Sequence, residues 1–162
     1  EFADEARKRQ GFLGCYASHL KVLKLINEKE EDYFIIMEDD CQFVDDFQNK
    51  LGEYMKQLPE DWDLLYPGGN LLDKDAINDY SENLKRAKNV LCTHAYIVRK
   101  KAISGLIELV EKRVHKIDIL YCEYQKTHNC FIVYPEITWQ MEGYSDVIDG
   151  TTNHLYLRYG KM

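Results

Sequence analysis

The sequence has no apolar run approaching the roughly 18–20 residues of a membrane-spanning helix, so no membrane span is expected, and no signal peptide is visible. It has no basic excess either: 28 acidic residues face 21 lysines and arginines, for a formal net charge of −7 at pH 7. The acids are spread along the chain rather than gathered in a tail. That disfavours a nucleic-acid surface and suits a site that holds a cation and, through it, an anionic ligand. The five cysteines, Cys15, Cys41, Cys92, Cys122 and Cys130, are odd in number and form no CxxC pair, so neither a zinc site nor a disulfide framework is indicated. Reduced, buried thiols are the plain expectation, with one disulfide in an oxidising lumen as the alternative. No repeat, low-complexity stretch or linker interrupts the 162 residues. What is present is 45% apolar and 12% aromatic content, enough to bury a core as one domain and, with 30% charged residues, unlike a disordered chain.

Along the chain, apolar and polar periods alternate. Leu13, Tyr16, Leu20, Leu23 and Leu25–Ile26 predict a helix ending in the acidic "EKEED", and the charged run before it reads as helix or a frayed lead-in. Tyr33–Met37 reads as a buried strand. In "FVDDFQNKLGEYMKQL" the residues Phe43, Phe47, Leu51, Tyr54, Met55 and Leu58 recur at helical spacing, with Asp45 and Asp46 in the first turn, where the dipole favours them. "WDLLYPGGN" predicts a short buried strand broken by Pro67-Gly68-Gly69. "NVLCTHAYIVRK" predicts a third strand, "KAISGLIELVEK" a helix, and "CFIVYPEITWQ" a fourth strand confined to an edge or end by Pro135. The remainder reads as loop-rich. Strands alternating with helices imply an α/β fold, a mixed or parallel sheet with helices on its faces. Ligands bind such sheets beyond the carboxyl ends of the strands.

Glu38, Asp39 and Asp40 stand at such an end, directly after Met37. Adjacent carboxylates raise one another's pKa unless a cation neutralises them. A hard divalent ion such as Mn²⁺ or Mg²⁺ takes oxygen ligands and needs only one or two protein carboxylates when phosphate oxygens supply others. A metal–diphosphate clamp and a solvated acidic turn are therefore both open. A phosphoacceptor receiver domain fits poorly, because a helix precedes the acids and Thr93 falls before its strand ends.

"GCYASHLKVLKLI" followed by "YFIIMEDD" resembles glycosyltransferase family 25, the lipooligosaccharide galactosyltransferases of bacteria and the procollagen galactosyltransferases of animals. The likeness continues in order through "DWDLLYPGG", "THAYIVRKKAISGLIE", "HKIDIL" and "VYPEITWQ", covering about residues 11–146. The resemblance implies a glycosyltransferase A-type nucleotide-diphospho-sugar fold and inverting transfer of a hexose, most simply galactose, from a UDP-sugar to a glycan or hydroxylysine acceptor. It implies that Glu38, Asp39 and Asp40 are the Asp-x-Asp-like motif, with Glu38 and Asp40 on the metal and Asp40 its direct ligand. Family members carry an upstream strand–helix unit that forms the uracil and ribose pocket. The chain begins just before Gly14 without it, so the expectation is one domain over residues 1–162, equivalent to the C-terminal two-thirds of the family domain. A catalytically inactive carbohydrate- or partner-binding domain of the same fold is the alternative. The compartment would be the cytoplasm for a bacterial or viral member and the endoplasmic reticulum lumen for an animal-type one.

Most further candidates carry both a functional and a plain reading. Ser18 and His19 match the family's Ser-His, as support for the metal or sugar site or as core residues. Asp118 is the first choice for the general base that takes the acceptor hydroxyl's proton, with a helix cap as the plain alternative. Asp146 could be the base or complete the metal shell, or be a loop acid, and His154 is a candidate third metal ligand. Gly68 and Gly69 would let backbone approach the donor sugar or simply form a turn. Trp139 and Tyr144 could stack on a sugar face or close the core.

Overall fold

The structure, a computed structural model, describes residues 2–71, 78–145 and 150–152. Helix α1 (Phe2–Asn27) leads into β1 (Tyr33–Met37), β2 (Cys41–Phe43), α2 (Phe47–Met55), β3 (Leu64–Tyr66) and β4 (Asn70–Leu71). There follow β5 (Leu84–Arg86), β6 (Val90–Leu91), β7 (Ala95–Arg99), α3 (Lys100–Lys112) and α4 (Ile117–Gln125). The described part ends with β8 (Cys130–Val133), β9 (Thr138–Gln140), β10 (Gly143–Ser145) and β11 (Gly150–Thr152). Five strands form a mixed sheet in the order β1-β7-β3-β8-β5, flanked by helices, as expected for a nucleotide-sugar transferase fold of the A type.

Pairing fixes the directions. Strand β7 is antiparallel to β1 and β3, β3 is parallel to β8, and β5 is antiparallel to β8. Strands β1, β3 and β8 therefore point the same way and end on one rim. The period of two sorts the core into two layers. Ile36, Leu64, Tyr66, Tyr96, Val98 and Ile132 face one layer with Leu23 of α1, Ile103, Leu106 and Val110 of α3, and Leu120, Tyr121 and Tyr124 of α4. Leu65, Ile97, Phe131 and Val133 face the other, against Phe47 and Leu51 of α2 and Trp62. Ala102, Ile103, Leu106 and Val110 make one stripe of α3, as its sequence period requires. A Cβ at Gly105 would lie 3.6 Å from the Tyr124 ring, in ordinary contact, so α3 and α4 cross closely there.

Several elements differ from their sequence patterns. Tyr33–Met37 is not a buried strand: it is the sheet's edge, and Tyr33, Ile35 and Met37 stay 46%, 45% and 40% exposed while Ile36 turns inward. The helix expected from Phe43 starts at Phe47, because Asp46 takes a left-handed conformation (φ 62°) and residues 41–43 pair with β9 instead. The expected third strand divides into β6 and β7 at Cys92, whose φ is 75°. The expected fourth divides into β8 and β9 around Tyr134-Pro135, a cis peptide. Ile117–Gln125 is a helix, Leu84–Arg86 is a strand no pattern marked, and the loop-rich end contains the β10–β11 pair. All five cysteines are free thiols.

Candidate functional site

The rim where β1, β3 and β8 end carries Glu38, Asp39 and Asp40 after β1, and Gly68 and Gly69 after β3. Because β1 and β7 are antiparallel, Met37 pairs with Ala95, and Glu38 meets the residues just before β7. The Glu38 amide donates to the His94 carbonyl at 2.9 Å. Glu38 Oε1 accepts from Thr93 Oγ1 at 2.7 Å and lies 3.0 Å from His19 Nε2. Burial pushes the Glu38 carboxyl up, but these hydrogen bonds and the nearby imidazoles of His19 and His94 outweigh it and hold the group below the usual range.

Asp40 is the opposite case. Its Oδ2 accepts from Gln140 Nε2 at 2.7 Å, while Oδ1 is buried and has no hydrogen-bond partner. Burial, then the charges of Glu38 and Asp39, raise its carboxyl despite the bonds from Gln140 and from its own backbone amide. A buried carboxylate oxygen without a donor is costly, and a cation is the partner that would suit it. Asp39 between them is exposed. Among the described residues no lysine or arginine forms an ion pair with Glu38, Asp39 or Asp40.

Asp118 occupies the first turn of α4, where Lys116 is the N-cap, and its Oδ1 accepts from the Ile119 amide at 2.8 Å. It is half-buried and lies within electrostatic reach of the thiols that the other acids influence. Cys15 is pushed up to about 12 by burial and by Glu38, Asp118 and Asp40. Cys92 is pushed up to about 12 by burial and by Asp118, Glu38 and Asp40. All three carboxylates raise the same two cysteines, which remain thiols at neutral pH. Ligand atoms of Cys15, His19 and Glu38 also lie within 4.8 Å of one another. That protonated thiol and an imidazole bonded at both nitrogens make a poorer cation seat than the unpartnered oxygen of Asp40.

Other expected residues fall as follows. Ser18 is exposed and His19 is buried on the core side of α1. At Gly68 a Cβ would lie 2.0 Å from the Thr138 carbonyl oxygen, and at Gly69 2.6 Å from Val90 Cγ1, so the glycines are required by packing within the rim itself. Trp139 is half-buried, stands opposite Gln42 in the β2–β9 pair and donates from Nε1 to Gln42 Oε1 at 3.0 Å. Tyr144 lies on β10, opposite Thr151. Asp146 and His154 lie outside the described residues. The residues sequence reasoning passed over are those that hold the acids: Thr93, Gln140 and Cys92. Only Thr93 had a signal, as the first residue of "THAYIVRKKAISGLIE", one of the stretches that carry the family resemblance. The left-handed backbone of Cys92, a conformation costing on the order of 1–3 kcal/mol, sets the turn that aims Thr93 at Glu38.

The model of one protein family, described as glycosyltransferase family 25 (LPS biosynthesis protein), matches residues 6–121. Procollagen galactosyltransferase 2 of Mus musculus is 34% identical over 62 residues, 36% of this chain and 10% of that protein. The Homo sapiens protein of the same name matches equally, and procollagen galactosyltransferase 1-B of Xenopus laevis is 32% identical over 69 residues, 41% of this chain and 11% of its own length. The matched segments thus span about one-tenth of these relatives.

Proposed function

Since the chain belongs to glycosyltransferase family 25, we propose that it acts in metal-dependent, inverting transfer of a hexose, galactose in the first instance, from a UDP-sugar to a glycan or hydroxylysine acceptor. The observation that carries this reading is the buried, unpartnered Oδ1 of Asp40 beside the fixed charge of Glu38. Asp40 would hold Mn²⁺ or Mg²⁺, with Glu38 adding negative charge behind it. Such an ion, if bound there, would supply positive charge to the donor's diphosphate and to the UDP that leaves. Asp118 takes the proton of the acceptor hydroxyl. The freed oxygen attacks C1 of the hexose from the face opposite the diphosphate, the bond from C1 to the diphosphate oxygen breaks, and UDP departs.

A second reading, a sugar-binding domain without catalysis, is favoured by one contact: the Asp118 carboxylate already serves the Ile119 amide of its own helix. Two variants separate the readings. Asp40→Asn should abolish Mn²⁺-dependent UDP binding in calorimetry, and unaltered affinity removes the metal assignment. Asp118→Asn should lower transfer by about 10²-fold or more, since a positioned base contributes about 10²–10⁴-fold, with donor affinity within a few-fold. Unchanged transfer per folded molecule with a lower melting point makes Asp118 a helix-turn residue only.

A further inference from the structure

A histidine on the core face of α1 is an odd choice beside Leu23, and the two tyrosines behind it deepen the oddity. His19 is 5% exposed, and Tyr96 and Tyr121 are fully buried. Burying an imidazole and two hydroxyls costs free energy unless each is bonded, and here each is. His19 Nε2 lies 3.0 Å from Glu38 Oε1, His19 Nδ1 lies 3.0 Å from the Tyr96 hydroxyl, and that hydroxyl lies 3.1 Å from the Tyr121 hydroxyl. The tyrosine rings meet edge to face, 5.3 Å apart at 87°. Three elements, α1, β7 and α4, each contribute one member, so the line cannot shift without moving the core. Phenylalanine at 96 and 121 would fill nearly the same volume without any hydroxyl to satisfy. What the hydroxyls add is direction, and the direction ends on Glu38.

We propose that His19 is a positioning residue whose imidazole, steered by the Tyr96–Tyr121 pair, holds Glu38 in one orientation and so leaves Asp40 as the carboxylate open to a cation. This rests on the cation reading given under Proposed function. The donors follow in one order. An ionised Glu38 only accepts, so His19 donates from Nε2. With one ring proton, on Nε2, the imidazole accepts at Nδ1 from Tyr96, and Tyr96 accepts from Tyr121. Thr93 donates to the same Oε1. Both donors pin one oxygen inward, and the charge of Glu38 is fixed within reach of Asp40. Partners of this kind behind a metal site are worth about 10–100-fold in metal affinity.

The test uses Mn²⁺ alone and the metal-free protein. In imidazole ¹⁵N NMR, His19 should carry its proton on Nε2, and Glu38→Ala should abolish or shift that signal. Tyr96→Phe should lower Mn²⁺ affinity by about 10–100-fold, should lower melting as well because it leaves His19 Nδ1 and the Tyr121 hydroxyl unpartnered, and should cost no further Mn²⁺ affinity in a Glu38→Gln background. Tyr121→Phe should reproduce a weaker form of the same loss. His19→Gln, which keeps a donor near the Nε2 position, should retain more affinity than His19→Leu. Unchanged Mn²⁺ affinity in Tyr96→Phe, an equal loss with and without Glu38, or a proton on Nδ1 instead of Nε2 overturns the proposal. If the wild type binds no Mn²⁺, the cation reading falls, and the imidazole signal decides positioning by itself: its persistence unaltered in Glu38→Ala overturns it, its loss supports it.

Discussion

Two acidic spots sit at opposite rims of the same sheet and are treated in opposite ways. Asp63, just ahead of β3, is 8% exposed, and its Oδ2 accepts from the Asn129 amide at 2.9 Å while Lys101 Nζ approaches Oδ1 to 3.1 Å. Its backbone is tied too, accepting from the Arg99 amide and donating to the Asn129 carbonyl. At the other rim Glu38 and Asp40 have no lysine or arginine among the described residues, and Asp40 keeps one oxygen unpartnered. A buried acid with its own cation belongs to the architecture; half-buried acids without one are what the proposed cation would require. Under that reading "WDLLYPGG" and "YFIIMEDD", both acid-bearing strand motifs, serve different ends.

The largest effect is expected where the acid rim is built rather than where it is charged. Gly68→Ala places a methyl 2.0 Å from the Thr138 carbonyl oxygen and 2.8 Å from its Oγ1, and backbone cannot yield as a flexible side chain would. The loss should reach the upper end of the about 1–3 kcal/mol typical of overpacking, or pass it. Because β9 carries both Thr138 and Gln140, the shift should also free Asp40 from Gln140. Urea unfolding and Mn²⁺ calorimetry on the same variant check it. A stable variant with intact Mn²⁺ binding would mean that the rim tolerates movement.

Next comes the architectural acid. Asp63→Ala leaves the Asn129 amide without its acceptor, while Lys101, nearly half exposed, can return to water. The loss should be about 1.5–3 kcal/mol, the range for hydrogen bonds to charged groups. Mn²⁺ affinity should not change. Reduced affinity at unaltered melting would erase the distinction between the rims.

How far the sequence carried the contrast can be traced through single residues. Helix α3 was legible because Ala102, Ile103, Leu106 and Val110 keep helical spacing, and the acids were legible because three carboxylates end an apolar strand. The edge position of β1 was not, since an all-apolar run reads as doubly buried whichever face is open. Nor was the partner of Glu38. Thr93 reaches it through antiparallel register and a left-handed turn at Cys92, and Gln140 reaches Asp40 across exactly one hundred positions of chain. Local periodicity carries no information about such pairings; tertiary register decides them.

The two acids of the site should also part from each other with pH. Glu38 has a folded pKa below its unfolded value near 4.5, so its contribution is present above that value and lost as pH falls through the lower folded one. Glu38→Gln should therefore flatten the acid limb of the stability curve, followed by melting from pH 7 down to pH 3. An acid limb identical to the wild type would show that His19 and Thr93 contribute nothing to Glu38.

The smallest effect, and the one that separates the two rims most directly, concerns Asp40 without metal. Burial and the charges of Glu38 and Asp39 raise its folded pKa above the unfolded value of 3.8. The fold therefore favours the protonated form, and the stability from this group is full below pH 3.8 and lost as pH rises through the raised value. At neutral pH the ionised carboxylate weakens the metal-free protein. Asp40→Asn removes the charge and keeps an amide oxygen for Gln140, so the metal-free variant should melt slightly above the wild type. The group is partly solvated, which screens the repulsion and holds the gain within about 1 kcal/mol. Saturating Mn²⁺ should reverse the order, because only the wild type retains the ligand and gains from mass action. At Asp63 the same Asp→Asn change should lower the melting point with or without Mn²⁺. A metal-free Asp40→Asn that melts below the wild type across neutral pH would place Asp40 with Asp63, as an acid the fold needs for itself.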